Sequence, residues 1–361
     1  MKKEVKILSL LLIFILSFIL MLSGCRPDNT DGSSSVYTSV FTESVSSTES
    51  ETSALSSETS SQVEETEKEH ASSGEPSLSV TSPVESETSL KPVVSAPANF
   101  TPIAVSEYTV NDADNTRGLS DERKGCYFGV AKDGKPHQLS IDNQLWFDSL
   151  QNINALALDT VSNDNGIYLT FDCGYEYNNL TASILDTLKA KKIKAAFFCT
   201  LSYLKDNPSL IRRMIDEGHI VGNHSATHPD FTTLTRTEMA NELYLFEKYL
   251  GENFGYRSNY FRFPGGYHSE NALELVTSVG YKSIFWSIAY NDWDTKNQPD
   301  KDSAFKTITS RYHSGAVILL HAVSETNTNI LGSLIDNAHA KGYSFKTLDD
   351  YYNRGDSGEN I

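Results

Sequence analysis

From Gly166 onward the chain alternates short apolar runs with longer segments of helical period, and this alternation narrows its possible folds more than any other feature. The runs are Ile167–Phe171, Ala195–Thr200, His219–Gly222, Tyr260–Phe263, Lys282–Ile288, Ala316–Leu320 and Ser344–Thr347. Between them, Leu180–Lys192, Pro208–Glu217, Arg236–Leu250, Ser269–Val279 and Asn329–Lys341 carry apolar residues at helical spacing. Glycine stands at several of the stops, at Gly218, Gly280 and Gly342, and Ser269 or Asn271 suits a helix start. Repeated strand–helix units predict an α/β fold, a parallel sheet covered by helices. Six or seven such units favour a closed or nearly closed barrel over two small domains, and 166–352 is its expected extent.

The chain ahead of this region cannot share the core. Lys2, Lys3 and Lys6 precede an almost wholly apolar stretch over 7–22, which ends in Leu22-Ser23-Gly24-Cys25. That pattern is a secretory signal, and its end resembles the lipobox at which bacterial lipoproteins are cleaved and lipidated. The expectation is a signal peptide over 1–25, a lipid on Cys25, and a protein held by that anchor at the extracytoplasmic face of the cell membrane. Residues 26–100 are Ser, Thr, Glu and Pro with scarcely an aromatic, so they bury too little apolar surface to offset the cost of ordering and read as a flexible stalk. The stalk holds 13 acidic side chains against three basic ones, which is most of the net charge of −17. The body lacks a basic stripe able to neutralise phosphates, which disfavours nucleic acid as a partner. Residues 101–165 are expected to pack on the outside or bottom of the barrel through Tyr127-Phe128-Gly129 and Leu145-Trp146-Phe147, and 353–361 form a tail. With Cys25 lipidated, an odd number of cysteines remains: Cys126 and Cys199 could pair, or Cys199 could simply fill core.

In barrels of this kind chemistry gathers on the loops at the carboxyl ends of the strands. Asp172, His224, Arg262, Asp292 and His321 all fall at or just after an apolar run. Two histidines spaced i and i+4 in His224-Ser225-Ala226-Thr227-His228-Pro229 would share one face of a helical turn and could hold one cation, for which imidazole suits zinc and related divalent metals. Thr170-Phe171-Asp172-Cys173-Gly174 delivers a carboxylate and a thiol at a strand exit. Asp172 could take a proton from water or merely cap a helix; Arg262 offers a fork that could hold it ionised. Asp292 beside His321 would raise the imidazole pKa and fix its tautomer, preparing a general acid for a leaving nitrogen. Trp293 could wall a small acyl group, or only pack.

Thr170–Gly174, His224–Pro229, Arg262–Gly265, Asp292-Trp293 and Leu319–His321 resemble, in order and spacing, the five motifs of the polysaccharide deacetylase family. The likeness spans about residues 120–352 and is strongest toward the delta-lactam-biosynthetic de-N-acetylases, through Tyr168–Asp172, Glu217–Ser225, Phe285-Trp286-Ser287 and Gly342–Asp350. The resemblance implies a distorted (β/α) barrel of about seven parallel strands. It also implies a metal-dependent hydrolase removing N-acetyl groups from a cell-wall glycan, with N-acetylmuramic acid of peptidoglycan the foremost substrate. Carried over, Asp172 is the general base, His224 and His228 ligate a divalent metal, zinc foremost, Arg262 orients the base, Asp292 tunes His321, and His321 is the general acid. Gly265, whose backbone N–H could hold the oxyanion, joins Trp293 and Leu319 against the substrate. Most of the family carries a second Asp where this chain has Cys173, so the thiolate is expected to complete the metal site. Ala289 stands where many members carry a carboxylate. The rival classes are a carbohydrate-binding relative without turnover, a deacetylase of another N- or O-acetylated polysaccharide, and a solute-binding lipoprotein.

Overall fold

A computed structural model of the chain describes residues 108–110, 112–162 and 164–354. The signal segment with Cys25, the stalk and the tail beyond 354 lie outside the described residues. Eight parallel strands make one sheet: β1 Ala155–Leu156, β2 Gly166–Cys173, β3 Ala196–Cys199, β4 Ile220–Asn223, β5 Tyr260–Phe261, β6 Lys282–Ile284, β7 Val317–His321 and β8 Ser344–Lys346. Their order is β1-β6-β5-β4-β3-β2-β7, with β8 also paired to β2. Each of the seven apolar runs contributes one of these strands.

The run Lys282–Ile288 behaves differently from the single strand its pattern suggests. Regular pairing with β5 ends at Ser283, and the chain then changes partner. The Phe285 N–H donates to Leu156 O at 2.7 Å, and the Ser287 and Ile288 N–H groups both donate to Val317 O, at 2.9 and 3.1 Å. An isolated parallel bridge between Ile288 and Ile318 thereby joins the sheet's two flanks and closes a distorted barrel. Below it, β1 reaches β7 through Leu158 and Ala316, where the Asp159 N–H donates to Gly315 O at 2.9 Å. Gly315 has φ +76°, and a β-carbon there would collide with the Asp159 carbonyl, so only glycine permits this approach.

Alternation along β2 sorts its side chains. Ile167, Leu169, Phe171 and Cys173 face the helices and join Ile184, Leu188, Leu331 and Ile335 in one core. Tyr168 points into the barrel, where Leu156, Phe198, Ile220, Tyr260, Ile284 and Val317 fill the interior with Leu348 of the helix Leu348–Tyr352. Above that layer the interior turns polar, with Thr170, Asp172 and Arg262 all buried. Each fully buried large apolar side chain contributes about 1.5–3 kcal/mol, so these two layers fix the register of every strand exit.

The helices follow from their ends. Thr235 and Glu238 form a reciprocal capping box at the start of Arg236–Phe254, and Gly255 ends it in the left-handed conformation. Ser324 caps Glu325–Ala340, one turn earlier than the expected start at Asn329. Leu201–Asp206, Lys301–Thr309 and Gln138–Ser149 are further helices that the apolar spacing does not announce. Residues 112–162 do more than pack on the barrel, since β1 pairs in register with β6. Cys126, Cys173 and Cys199 are all free and buried, so Cys126 and Cys199 do not pair.

Candidate active site

Each site residue is set by the strand that ends beneath it. Asp172 is the penultimate residue of β2, and the segment after β5 carries Arg262, whose Nη1–H donates to Asp172 Oδ1 at 2.8 Å. The guanidinium is fully buried, and its other donors go to Thr170 Oγ1 (2.9 Å), Ile284 O (2.9 Å) and Phe285 O (3.2 Å). Its carbon lies 4.2 Å from the centroid of the Phe198 ring. One donor of this cation holds Asp172, and the remaining bonds fix the guanidinium in place to do so. Burial pushes the Asp172 carboxyl up, but the Arg262 guanidinium, aided by the neighbouring imidazoles, outweighs it and keeps the group below its ordinary value.

His224 follows β4 and faces the same carboxylate, with Nε2 at 3.6 Å from Asp172 Oδ2. Its Nδ1 lies 2.8 Å from Arg262 O, a partner that can only accept, so Nδ1 carries the proton and Nε2 keeps its lone pair. Burial pulls the His224 pKa down to about 4, which keeps the ring neutral. The His228 ring stands 4.9 Å away, centroid to centroid, at 76°.

The two histidines do not share a helical face as their i, i+4 spacing suggests. Residues 224–230 form a loop in which Ser225 and His228 take positive φ, 69° and 62°. Hydrogen bonds hold it in this shape: the Ser225 N–H donates to Asn223 Oδ1 at 2.8 Å and the His228 N–H to Ser225 Oγ at 2.8 Å. From the helix Arg236–Phe254, Glu242 Oε2 accepts from the N–H groups of Ala226 (2.9 Å) and Thr227 (2.8 Å), and Oε1 accepts from the Thr227 hydroxyl (2.9 Å).

Across the seam, Asp292 is buried and its Oδ1 lies 2.7 Å from His321 Nδ1, while Oδ2 accepts from the His321 N–H at 2.8 Å and from Asn327 Nδ2 at 2.5 Å. Burial lowers the His321 pKa, yet the Asp292 carboxylate outweighs it and leaves the imidazole above its ordinary value. A carboxyl whose pKa is lowered and an imidazole whose pKa is raised thus stand together.

Asp172, His224, His228, Gly265, Leu319 and His321 line one cavity of about 260 Å³, and Arg262 and Asp292 stand behind it. Gly265 turns with φ +62°, and a β-carbon there would meet the Tyr267 ring at 2.8 Å. Two expected members are elsewhere. Cys173 lies in the helix-facing core, because it is one residue beyond Asp172 on the strand and so points to the other face. Burial and its hydrogen-bonded neighbour Cys199 push its thiol well above the ordinary value, the opposite of what a ligand thiolate needs. Among the described residues no group of three or more His, Cys, Asp or Glu gathers as a metal site. Trp293 is 43% exposed and outside the cavity lining, whose wall is made instead by Trp286, Tyr267, Pro264 and Leu319. Arg123 and Asp230 complete the lining without having been singled out in the sequence.

A carboxylate held by an arginine, two imidazoles, and a third imidazole backed by a carboxylate thus gather at the exits of β2, β4, β5, β6 and β7. Residues 160–284 match the family profile described as Polysaccharide deacetylase. An uncharacterised 30.6 kDa protein of Geobacillus stearothermophilus is 41% identical over 225 residues, which are 62% of this chain and 84% of that protein. The peptidoglycan-N-acetylmuramic acid deacetylase PdaA of Bacillus subtilis is 43% identical over 185 residues, 51% of this chain and 70% of PdaA. The solved structure of PdaA, described as a family 4 carbohydrate esterase, superposes with a TM-score of 0.60 at 37% identity, covering 64% of this chain and 97% of that one. The chain belongs to the polysaccharide deacetylase family.

Proposed function

We propose that this protein is a peptidoglycan deacetylase that hydrolyses the N-acetyl group of N-acetylmuramic acid units, with Asp172 as general base and His321 as general acid. One observation carries the reading: an ionised carboxylate and a pKa-raised imidazole line the same cavity, each held in its state by a separate buried partner, Arg262 and Asp292. A pure binder has no use for a matched base and acid. The similarity to PdaA, whose name states that glycan, supports the choice of substrate.

Deacetylases of this family depend on a metal. The donor set here fits one, because His224 presents a neutral Nε2 lone pair toward the cavity and His228 stands beside it. His224 and His228 would hold the ion, zinc by the preference of imidazole donors, with water or substrate completing its coordination. Such an ion supplies Lewis acidity to the acetyl carbonyl and to the attacking water. Asp172 takes the water's proton while Arg262 fixes its carboxylate, and His321 returns a proton to the leaving nitrogen. Leu319, Trp286 and Tyr267 give the acetyl group an apolar wall, and the Gly265 backbone N–H is available to the developing oxyanion. The Lys-rich start, apolar run and Leu22–Cys25 support an extracytoplasmic, lipid-anchored location beside the wall.

Acetate release from peptide-stripped peptidoglycan tests the activity. Asp172→Asn and His321→Ala should each lower turnover by roughly 10²–10⁴-fold with glycan binding kept. Full turnover in Asp172→Asn would defeat the assignment. A glycan binder without turnover is the second reading, favoured by the turn of Cys173 into the core; it expects binding and no acetate from the wild-type protein.

A further inference from the structure

We propose that Arg123 is a specificity-determining residue that reads the acidic ether substituent distinguishing an N-acetylmuramic acid unit from N-acetylglucosamine. The inference rests on the deacetylase reading and names what selects its substrate. Arg123 lies outside residues 160–284, the part of the chain matched to the family, yet it lines the catalytic cavity. Its backbone is pinned there. The Lys124 N–H donates to His268 O at 2.8 Å and the His268 N–H returns to Lys124 O at 2.9 Å, while Asn271 Nδ2 donates to Asp121 Oδ1 at 2.7 Å.

The side chain is equally constrained. Arg123 Nε–H donates to Asp230 Oδ2 at 2.7 Å, and the guanidinium carbon lies 3.4 Å from the centroid of the Tyr267 ring. Asp230 is itself held, since Oδ1 accepts from the Thr232 N–H (3.0 Å) and hydroxyl (2.7 Å). A guanidinium has five N–H donors, so these partners fix its plane without exhausting it. Among the described cavity-lining residues Arg123 is the one Arg or Lys, and its side chain is 50% exposed, whereas Arg262 behind the wall is fully buried and committed to Asp172. An open, pre-oriented guanidinium beside a sugar cavity matches a carboxylate, whose two oxygens fit the fork. N-acetylmuramic acid carries that carboxylate on its lactyl ether, and an attached peptide converts it to a neutral amide. N-acetylglucosamine has only a hydroxyl at that position.

The test uses the full chain with three glycans of equal length: peptide-free peptidoglycan strands, the same strands with the lactyl carboxyl converted to a methylamide, and a chitin oligosaccharide. Acetate release gives kcat/KM and calorimetry gives Kd for wild type, Arg123→Gln and Arg123→Lys. The wild type should prefer the carboxylate strands over the methylamide by roughly 10–100-fold, the span expected of a charge-assisted contact. Arg123→Gln should bring that preference close to unity, and Arg123→Lys should leave it intermediate. Equal rates and affinities for carboxylate and methylamide in the wild type would overturn the proposal, as would a preference that survives Arg123→Gln. Should Arg123→Gln melt early and lose all three glycans, the wild-type comparison and Arg123→Lys still decide. A wild type that releases no acetate yet binds the carboxylate form through Arg123 would refute the deacetylase reading and uphold this one.

Discussion

At the scale of single residues, the site works by assigning each titratable group a guardian. His321 stays protonated above its ordinary pH range because the Asp292 carboxylate, bonded at 2.7 Å, outweighs the burial that would discharge it. Removing that negative charge should let the imidazole lose its proton earlier. In Asp292→Asn the alkaline limb of the kcat profile should therefore move to lower pH, and a limb left in place would contradict His321 as the titrating acid. The five polar residues at strand exits were legible in the sequence, since each follows an apolar run that burial makes conspicuous. Cys173 was not: whether a residue just past Asp172 joins the cavity depends on where the strand's alternation stops, and β2 stays regular through Cys173. Arg123 was invisible for another reason: it is placed by the antiparallel bridge of its neighbour Lys124 to the distant His268, a contact that no local pattern encodes.

At the scale of elements, the apolar runs revealed all seven strands from Gly166 on; β2, β3, β4 and β5 are buried along their whole lengths, whereas β8 is only partly covered. The helix Gln138–Ser149 escaped because its buried residues include Ser140, Asn143 and Gln144, so its inner face has no apolar period. Gln144 explains that polarity: its Oε1 accepts from the Ala157 and Leu158 N–H groups at 2.7 and 3.1 Å and so anchors the exit of β1. The histidine loop shows the converse, a spacing that looks helical and is not. Between its positive-φ residues Ser225 and His228, Ala226 and Thr227 are held by one carboxylate, Glu242, through three hydrogen bonds. Glu242→Ala should weaken metal affinity by roughly 10–100-fold, as loss of a partner that orients ligands does elsewhere, with the fold retained. Metal titration followed by a thermal melt separates the two effects, and unchanged affinity would deny Glu242 that role.

At the scale of the whole molecule, the proposed lipid on Cys25 is open to a direct test. Cys25→Ala should move the protein from the membrane fraction to the medium or block its processing; unchanged retention and processing would remove the lipid from the account. The barrel itself is a ring closed by a weak joint. Its flanks are fastened there by the isolated Ile288–Ile318 and Leu158–Ala316 bridges, and Asp292 and His321 sit on opposite banks of that joint. Amide-exchange mass spectrometry should find the N–H groups of Ser287, Ile288 and Leu319 trading with deuterium faster than those of β2 and β3, which are paired along their lengths. Adding the carboxylate–imidazole bond to that joint means that Asp292→Asn should quicken the exchange further, so the bond that raises the His321 pKa also acts as a fastener in the ring's slow breathing.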